Sequence, residues 1–168
     1  MKCRIGIMCA TMLLASSFAT GEDPAKTPAP PSKEELQKKF HETLNGVTLT
    51  GHFTSGKGDL ASAKEEKYGI ESVTKLPGDG DQWLFKVRIQ YGEHDVTLPL
   101  PLRVVWAGDT PVITLDKFNV PGFGQFTARV MIFDGKYSGM WDGGNHGGML
   151  FGKITKDEKG GKEAKKSQ

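Results

Sequence analysis

The residues best suited by type to do chemistry sit in one short run, Asp142-Gly143-Gly144-Asn145-His146-Gly147-Gly148. Its four glycines let the backbone approach a ligand or take positive φ, and its carboxylate, amide and imidazole offer oxygen and nitrogen ligands. No metal-site spacing is met. A calcium loop of the EF-hand kind needs several more acidic positions and a distal Glu, and zinc needs two more nitrogen ligands from elsewhere. The sequence therefore calls for no metal and no cofactor. The run reads first as a Gly-rich hairpin loop carrying an exposed His, with a small-molecule or carbohydrate contact as the functional alternative. His94-Asp95, preceded by Glu93, falls in another expected turn, where Asp is an ordinary turn residue. His52 lies next to Phe53 in a strand and is free to face either side. There is no Gly-x-Ser-x-Gly elbow, His-Glu-x-x-His pair or P-loop. Asp79, Asp81, Glu93, Asp95, Asp109 and Asp142 all fall in turns, so no pair of catalytic carboxylates stands out.

The elements that must position these groups follow from periodicity. Ser32 and Glu35 have capping-box spacing, and Leu36, Phe40 and Leu44 recur every four residues before Asn45-Gly46. This predicts a helix over 33–44 with one narrow apolar stripe, covering an apolar edge or opening. From Val47 to Thr155 the period becomes two. Strands are expected at 47–54, 68–74, 83–91, 96–106, 112–115, 126–133, 137–141 and 149–154, joined by turn residues that include the hairpin signal Asp134-Gly135. Trp83, Phe85, Val87, Ile89 and Tyr91 share one face of the third strand; Val96, Leu98, Leu100, Leu102, Val104 and Trp106 share one face of the fourth. Pro99 and Pro101 cannot donate to a ladder, so this fourth strand is a sheet edge or is unpaired on one side over its first half.

The expected fold is thus mainly β: an antiparallel up-and-down meander of about eight strands closed or curled into a small barrel, with one N-terminal helix packed against it. In such a barrel the aromatics Trp83, Trp106, Trp141, Phe85, Tyr91, Phe126 and Tyr137 are either plain core, the default, or the lining of an apolar ligand cavity.

The 168 residues are 37% apolar and 25% charged, an ordinary balance for one globular domain. Lys2 and Arg4 precede an uncharged stretch, Ile5 to Phe18, with small residues after it, which predicts a signal peptide over 1–21 cleaved after Ala19 or Gly21. A Pro-rich linker at 22–32, a single β-rich domain with its N-terminal helix at 33–155 and a disordered basic tail at 156–168 complete the organisation. Cleavage would remove Cys3 and Cys9 and leave a cysteine-free mature chain without a disulfide or thiolate. It would also remove two of the 22 basic residues, leaving 20 against 20 acidic ones. A neutral chain with scattered cations disfavours a nucleic-acid partner, and no membrane span is expected in the mature protein. Export to the periplasm or the extracellular space is the expected localisation.

Gly139-Met140-Trp141 resembles the Gly-x-Trp strand signature of lipocalin- and avidin-like barrels. In those families the signature belongs to the first strand, and here it comes near the end, so no family residue is carried over. The runs at 106–116, 121–130 and 137–154 resemble small exported bacterial β-rich proteins of unassigned function, which implies an exported β-domain and no activity. Three functions remain open. The first is a non-enzymatic domain that binds a small ligand or a cell-envelope component, with Asp142, Asn145, His146, Trp141, Trp106 and Tyr91 as candidate contacts. The second is a hydrolase or other enzyme using His146 with Asp142, or His94. The third is a structural or protein-interaction module docking through the strand around Pro99–Pro101.

Overall fold

Each expected strand is present, and the eight close on one another. The computed structural model describes residues 29–56, 61, 63–78, 80–91 and 94–157, with backbone only for Tyr91 and His94. The expected leader, most of the linker and the chain from 158 onward lie outside the described residues. After helix α1 (Lys33–Leu44) come β1 (Val47–Phe53), β2 (Lys64–Lys75), β3 (Gln82–Tyr91), β4 (His94–Ala107), β5 (Thr110–Val120), β6 (Gly124–Phe133), β7 (Lys136–Asp142) and β8 (Gly147–Lys156). Every consecutive pair is antiparallel, and β1 pairs with β8 to close the barrel. Closure gives the first and last strands a partner on both sides, so neither remains a bare edge.

Local chemistry starts and stops these elements as the residues suggest. The Ser32 hydroxyl accepts the Glu35 N–H at 3.2 Å, and the Glu35 carboxylate accepts the Ser32 N–H at 2.8 Å. Asp134 and Gly135 take φ of 47° and 67°, the left-handed pair that a two-residue hairpin requires. The expected inward faces of β3 and β4 are the buried ones, with Trp83, Phe85, Val87 and Ile89 on one strand and Leu100, Leu102 and Val104 on the other.

The proline expectation resolves to its second form. Pro99 and Pro101 pair across to Lys86 and Leu84 of β3. Between β4 and β5, register runs only from Arg103↔Thr114 to Ala107↔Thr110. A proline in a paired strand must turn its missing N–H toward the side without a ladder. Here that side faces β5, and no β4–β5 ladder runs along the first half of β4.

Helix α1 closes one end. Phe40 and Leu44 are buried, and the Phe40 ring meets Trp83, Phe85 and Trp106 edge-on at 4.9, 6.1 and 5.9 Å. Burying each of these two helix side chains is worth about 1.5–3 kcal/mol. The helix is also tied to β2. The His41 imidazole donates Nδ1–H to the Val73 carbonyl at 2.6 Å, and the Asn45 side-chain oxygen accepts the Val73 N–H at 3.2 Å. Lys156 donates to the carbonyls of Asn45, at 3.0 Å, and Glu42, which anchors the end of β8 against the helix C-terminus. No helix among the described residues is long and apolar enough to cross a membrane.

Two expected strands fall short of the observed ones by four residues or more at one end. β2 starts at Lys64, ahead of the expected 68, because Lys64 and Glu66 hold inward positions where apolar residues would otherwise mark the alternation. β5 runs on to Val120 beyond a register shift between Leu115 and Phe118, where Lys117 takes φ of 49°. The shift breaks the period of two and hides the continuation.

Candidate ligand cavity

Below the helix plug the barrel interior is not filled. A cavity of about 430 Å³ lies there, with Phe85 nearest the plug and Phe53, Lys64, Phe123 and His146 toward the opposite end. Its wall is largely aliphatic and aromatic, with Leu49, Val87, Leu100, Val130, Phe126 and Trp141 among its lining. A space of this size and character is within the range of small-molecule sites.

One polar cluster interrupts this wall, and a single row of the sheet builds it. Tyr137 of β7 pairs with Gly152 of β8, Gly152 with Gly51 of β1, and Gly51 with Glu66 of β2. All four positions face inward. The two glycines leave the row empty between Tyr137 and Glu66, and the tyrosine ring lies across the gap. A Cβ on Gly152 would stand 2.7 Å from the ring, and one on Gly51 would stand 2.5 Å from the hydroxyl. The Tyr137 hydroxyl thereby reaches the Glu66 carboxylate at 2.8 Å, and the Tyr68 hydroxyl, two residues along β2, donates to its other oxygen at 3.0 Å. Glu66 is only 7% exposed and Tyr137 2%.

The electrostatics follow from that burial. Loss of water holds the Glu66 carboxyl above its ordinary range, and the two tyrosine hydrogen bonds and the His52 charge lower it only in part. Burial, followed by the hydrogen bonds to Glu66 and its charge, pushes both tyrosines far up, so their hydroxyls stay protonated as donors. Each carboxylate oxygen accepts one hydroxyl, and no buried side-chain polar atom among the described residues lacks a partner.

The Gly-rich loop holds itself together at the other end of the cavity. Asp142 accepts the Gly144 N–H at 2.8 Å, the Gly143 N–H bonds to the His146 carbonyl at 2.7 Å, and His146 Nδ1 lies 2.7 Å from the Asn145 side-chain oxygen. Asp142 and Asn145 are spent on this turn geometry and stay exposed. Trp141 and His146 alone of the loop candidates line the cavity, with their rings edge-on at 5.2 Å. The Trp141 indole N–H is fixed by the carbonyl of the fully buried Thr54 at 3.2 Å, and the Thr54 hydroxyl in turn accepts the Met149 N–H at 2.9 Å.

The remaining candidates lie elsewhere. Trp106 packs on Phe40 at the helix end, away from the cavity. The backbones of Tyr91 and His94 pair with each other across β3 and β4, and their side chains lie outside the described set. His52 faces outward and stacks on Phe151 at 6.1 Å. His146 and Asp142 bond to different partners and not to each other, so the structure does not assemble that enzyme pair. Among the described residues, no group of three or more His, Cys, Asp or Glu side chains is placed to hold a metal ion. The aromatics divide: Trp83 and Trp106 are core around the helix, whereas Phe85, Phe126, Tyr137 and Trp141 line the cavity.

Glu66 is the functional candidate that periodicity misses. A signal was present: the inward row of β1 reads Val47, Leu49, Gly51, Phe53, and that of β8 reads Leu150, Gly152, Ile154. A glycine within an apolar row marks close approach of something across the sheet. Compared with protein-family models, with curated proteins and with solved structures, the chain matches none of them.

Proposed function

We propose that the chain is an exported, non-enzymatic binding protein whose barrel interior takes a small, largely apolar ligand. One observation carries the proposal: the interior holds about 430 Å³ of space walled by apolar and aromatic side chains around a single buried polar cluster. Such a combination lets the walls supply affinity and the cluster supply orientation. Export rests on the N-terminal run of residues 1–21 and on its basic start, apolar middle and small-residue end. Pro99 and Pro101 pair toward β3 and lie outside the β4–β5 ladder, so that segment keeps the unpaired side on which the third function was framed. A specific observation gives it another place. Met131, Phe133, Met140, Met149 and Phe151 are all exposed on β6–β8, with Phe133 62% and Met140 68% exposed, and a partner docked on this outer wall is the second reading.

Native mass spectrometry of protein purified from its own host tests the main proposal. It should show a non-covalent adduct of small mass, on a chain that begins at Thr20 or Glu22. A bare chain with no adduct counts against ligand binding, and a chain that retains Met1 counts against export.

A further inference from the structure

We propose that the ligand is an organic cation: an ammonium group on an apolar body, with its N–H bonds donated to the Glu66 carboxylate and its body against the aromatic wall. This rests on the ligand-binding proposal above and specifies its chemistry.

Hydrogen-bond polarity decides the class. Inside the cavity, the hydrogens of Tyr68 and Tyr137 are both committed to Glu66. What this cluster still presents to a ligand is lone pairs, on the carboxylate and on the two phenolic oxygens. A ligand carbonyl or carboxylate finds no free donor there, whereas an ammonium finds several acceptors in one place. Charge points the same way. The carboxylate has two donors but no ion-pair partner in contact: among the described residues no Lys, Arg or His lies within 4.0 Å of Glu66, and the His52 charge acts on it only from the outer face of β1. Ionised carboxylates buried without a positive partner are costly, and a bound cation removes that cost. The walls fit the same occupant, because Tyr68, Phe85, Phe126, Tyr137 and Trp141 line the cavity, and a desolvated cation is stabilised over aromatic rings.

The charged groups around Glu66 are few. His52 lies behind it on the outer face of β1, stacked on Phe151. Lys64 is two residues away on the same inward face of β2, exposed toward the end opposite the helix, and His146 lies near that end. Lys64 is therefore the internal rival for the carboxylate. It is also the natural partner for an acid bound the other way round, with its head at that end.

A head-group series separates these cases. 1-Naphthylmethylamine, 1-naphthylmethanol and 1-naphthoate share one ring system, and Trp141 in the cavity wall reports binding by fluorescence, with calorimetry as the second readout. At neutral pH the amine should bind the full chain at least about tenfold more tightly than the alcohol or the acid. Glu66→Gln should abolish the preference for the amine, and Lys64→Met should strengthen amine binding. Equal affinities for the three heads, or tightest binding of the naphthoate, would overturn the cation assignment and leave an apolar binding cavity standing. Binding of none of the three would overturn the ligand-binding proposal itself. The wild-type series and Lys64→Met carry the test even if Glu66→Gln fails to fold.

Discussion

Around the helix, the barrel interior is filled by rings from three elements, with Phe40 of α1 meeting Trp83, Phe85 and Trp106 at 4.9–6.1 Å and Val47, Val73 and Val104 fully buried beside them. Along the β6–β8 and β1 wall the inward positions include Ala128, Gly139, Gly152 and Gly51, and a tyrosine laid across two of these glycines reaches a buried carboxylate. The same alternation of inward and outward residues runs through both regions. Alternation makes a barrel; whether the interior is solid depends on inward side-chain volume and on what packs in from outside the sheet. One region is filled by the helix; the other keeps a cavity beside the glycines that seat the Tyr137 ring.

The contrast can be broken from either side. Phe40→Ala removes the plug that three rings surround, and should cost about 3–5 kcal/mol in denaturant unfolding. A loss below about 1 kcal/mol would show that the helix end does not depend on this ring. Gly152→Val places bulk where the Tyr137 ring lies and where the β1 backbone approaches closely. The expected loss is about 1–3 kcal/mol, with the Tyr137 ring resonances shifted by NMR as its hydroxyl leaves Glu66. An unshifted ring would mean that the glycine row is not what seats the tyrosine.

The subtlest difference lies in pH dependence. The folded state raises the Glu66 carboxyl above its value in the unfolded chain, so the folded state holds the proton more tightly. Stability from this group is therefore present at acid pH and falls as pH climbs from the ordinary carboxylate range through the raised value. Glu66→Gln cannot titrate. In thermal melts from about pH 4 to about pH 8, the Tm of the variant should gain on that of the native chain as pH rises. A constant difference would show that Glu66 does not carry the burial cost assigned to it. At the packed end no acidic side chain among the described residues is buried, and no such trend is expected from them.

Much of the architecture was legible in the residues. The Ser32–Glu35 capping box and the Asp134-Gly135 hairpin are local chemistry, readable from neighbours in the chain. The inward faces of β3 and β4 follow from a period of two sustained over many residues. The start of β2 was not legible, because Lys64-Glu65-Glu66-Lys67 has no apolar alternation and looks like solvated chain. Of the six candidate contacts, Trp141 and His146 line the cavity; Asp142 and Asn145 look like ligands by type but are absorbed by the turn they form.

The residues alone therefore determined the helix with its cap, the number and order of strands, the face that β3 and β4 turn inward, and the strand whose prolines leave its first half unpaired on one side. Each of these depends on chemistry within a few positions of the chain. Only the tertiary structure decided that an acid in a charged run would be buried, because one of the two hydroxyls that reach it comes from a tyrosine 71 residues away. Only closure of β8 onto β1 brings Gly152 and Gly51 side by side to make room for that tyrosine. A buried carboxylate is tolerated where partners converge on it, and convergence across four strands is a property of register, which no local pattern contains.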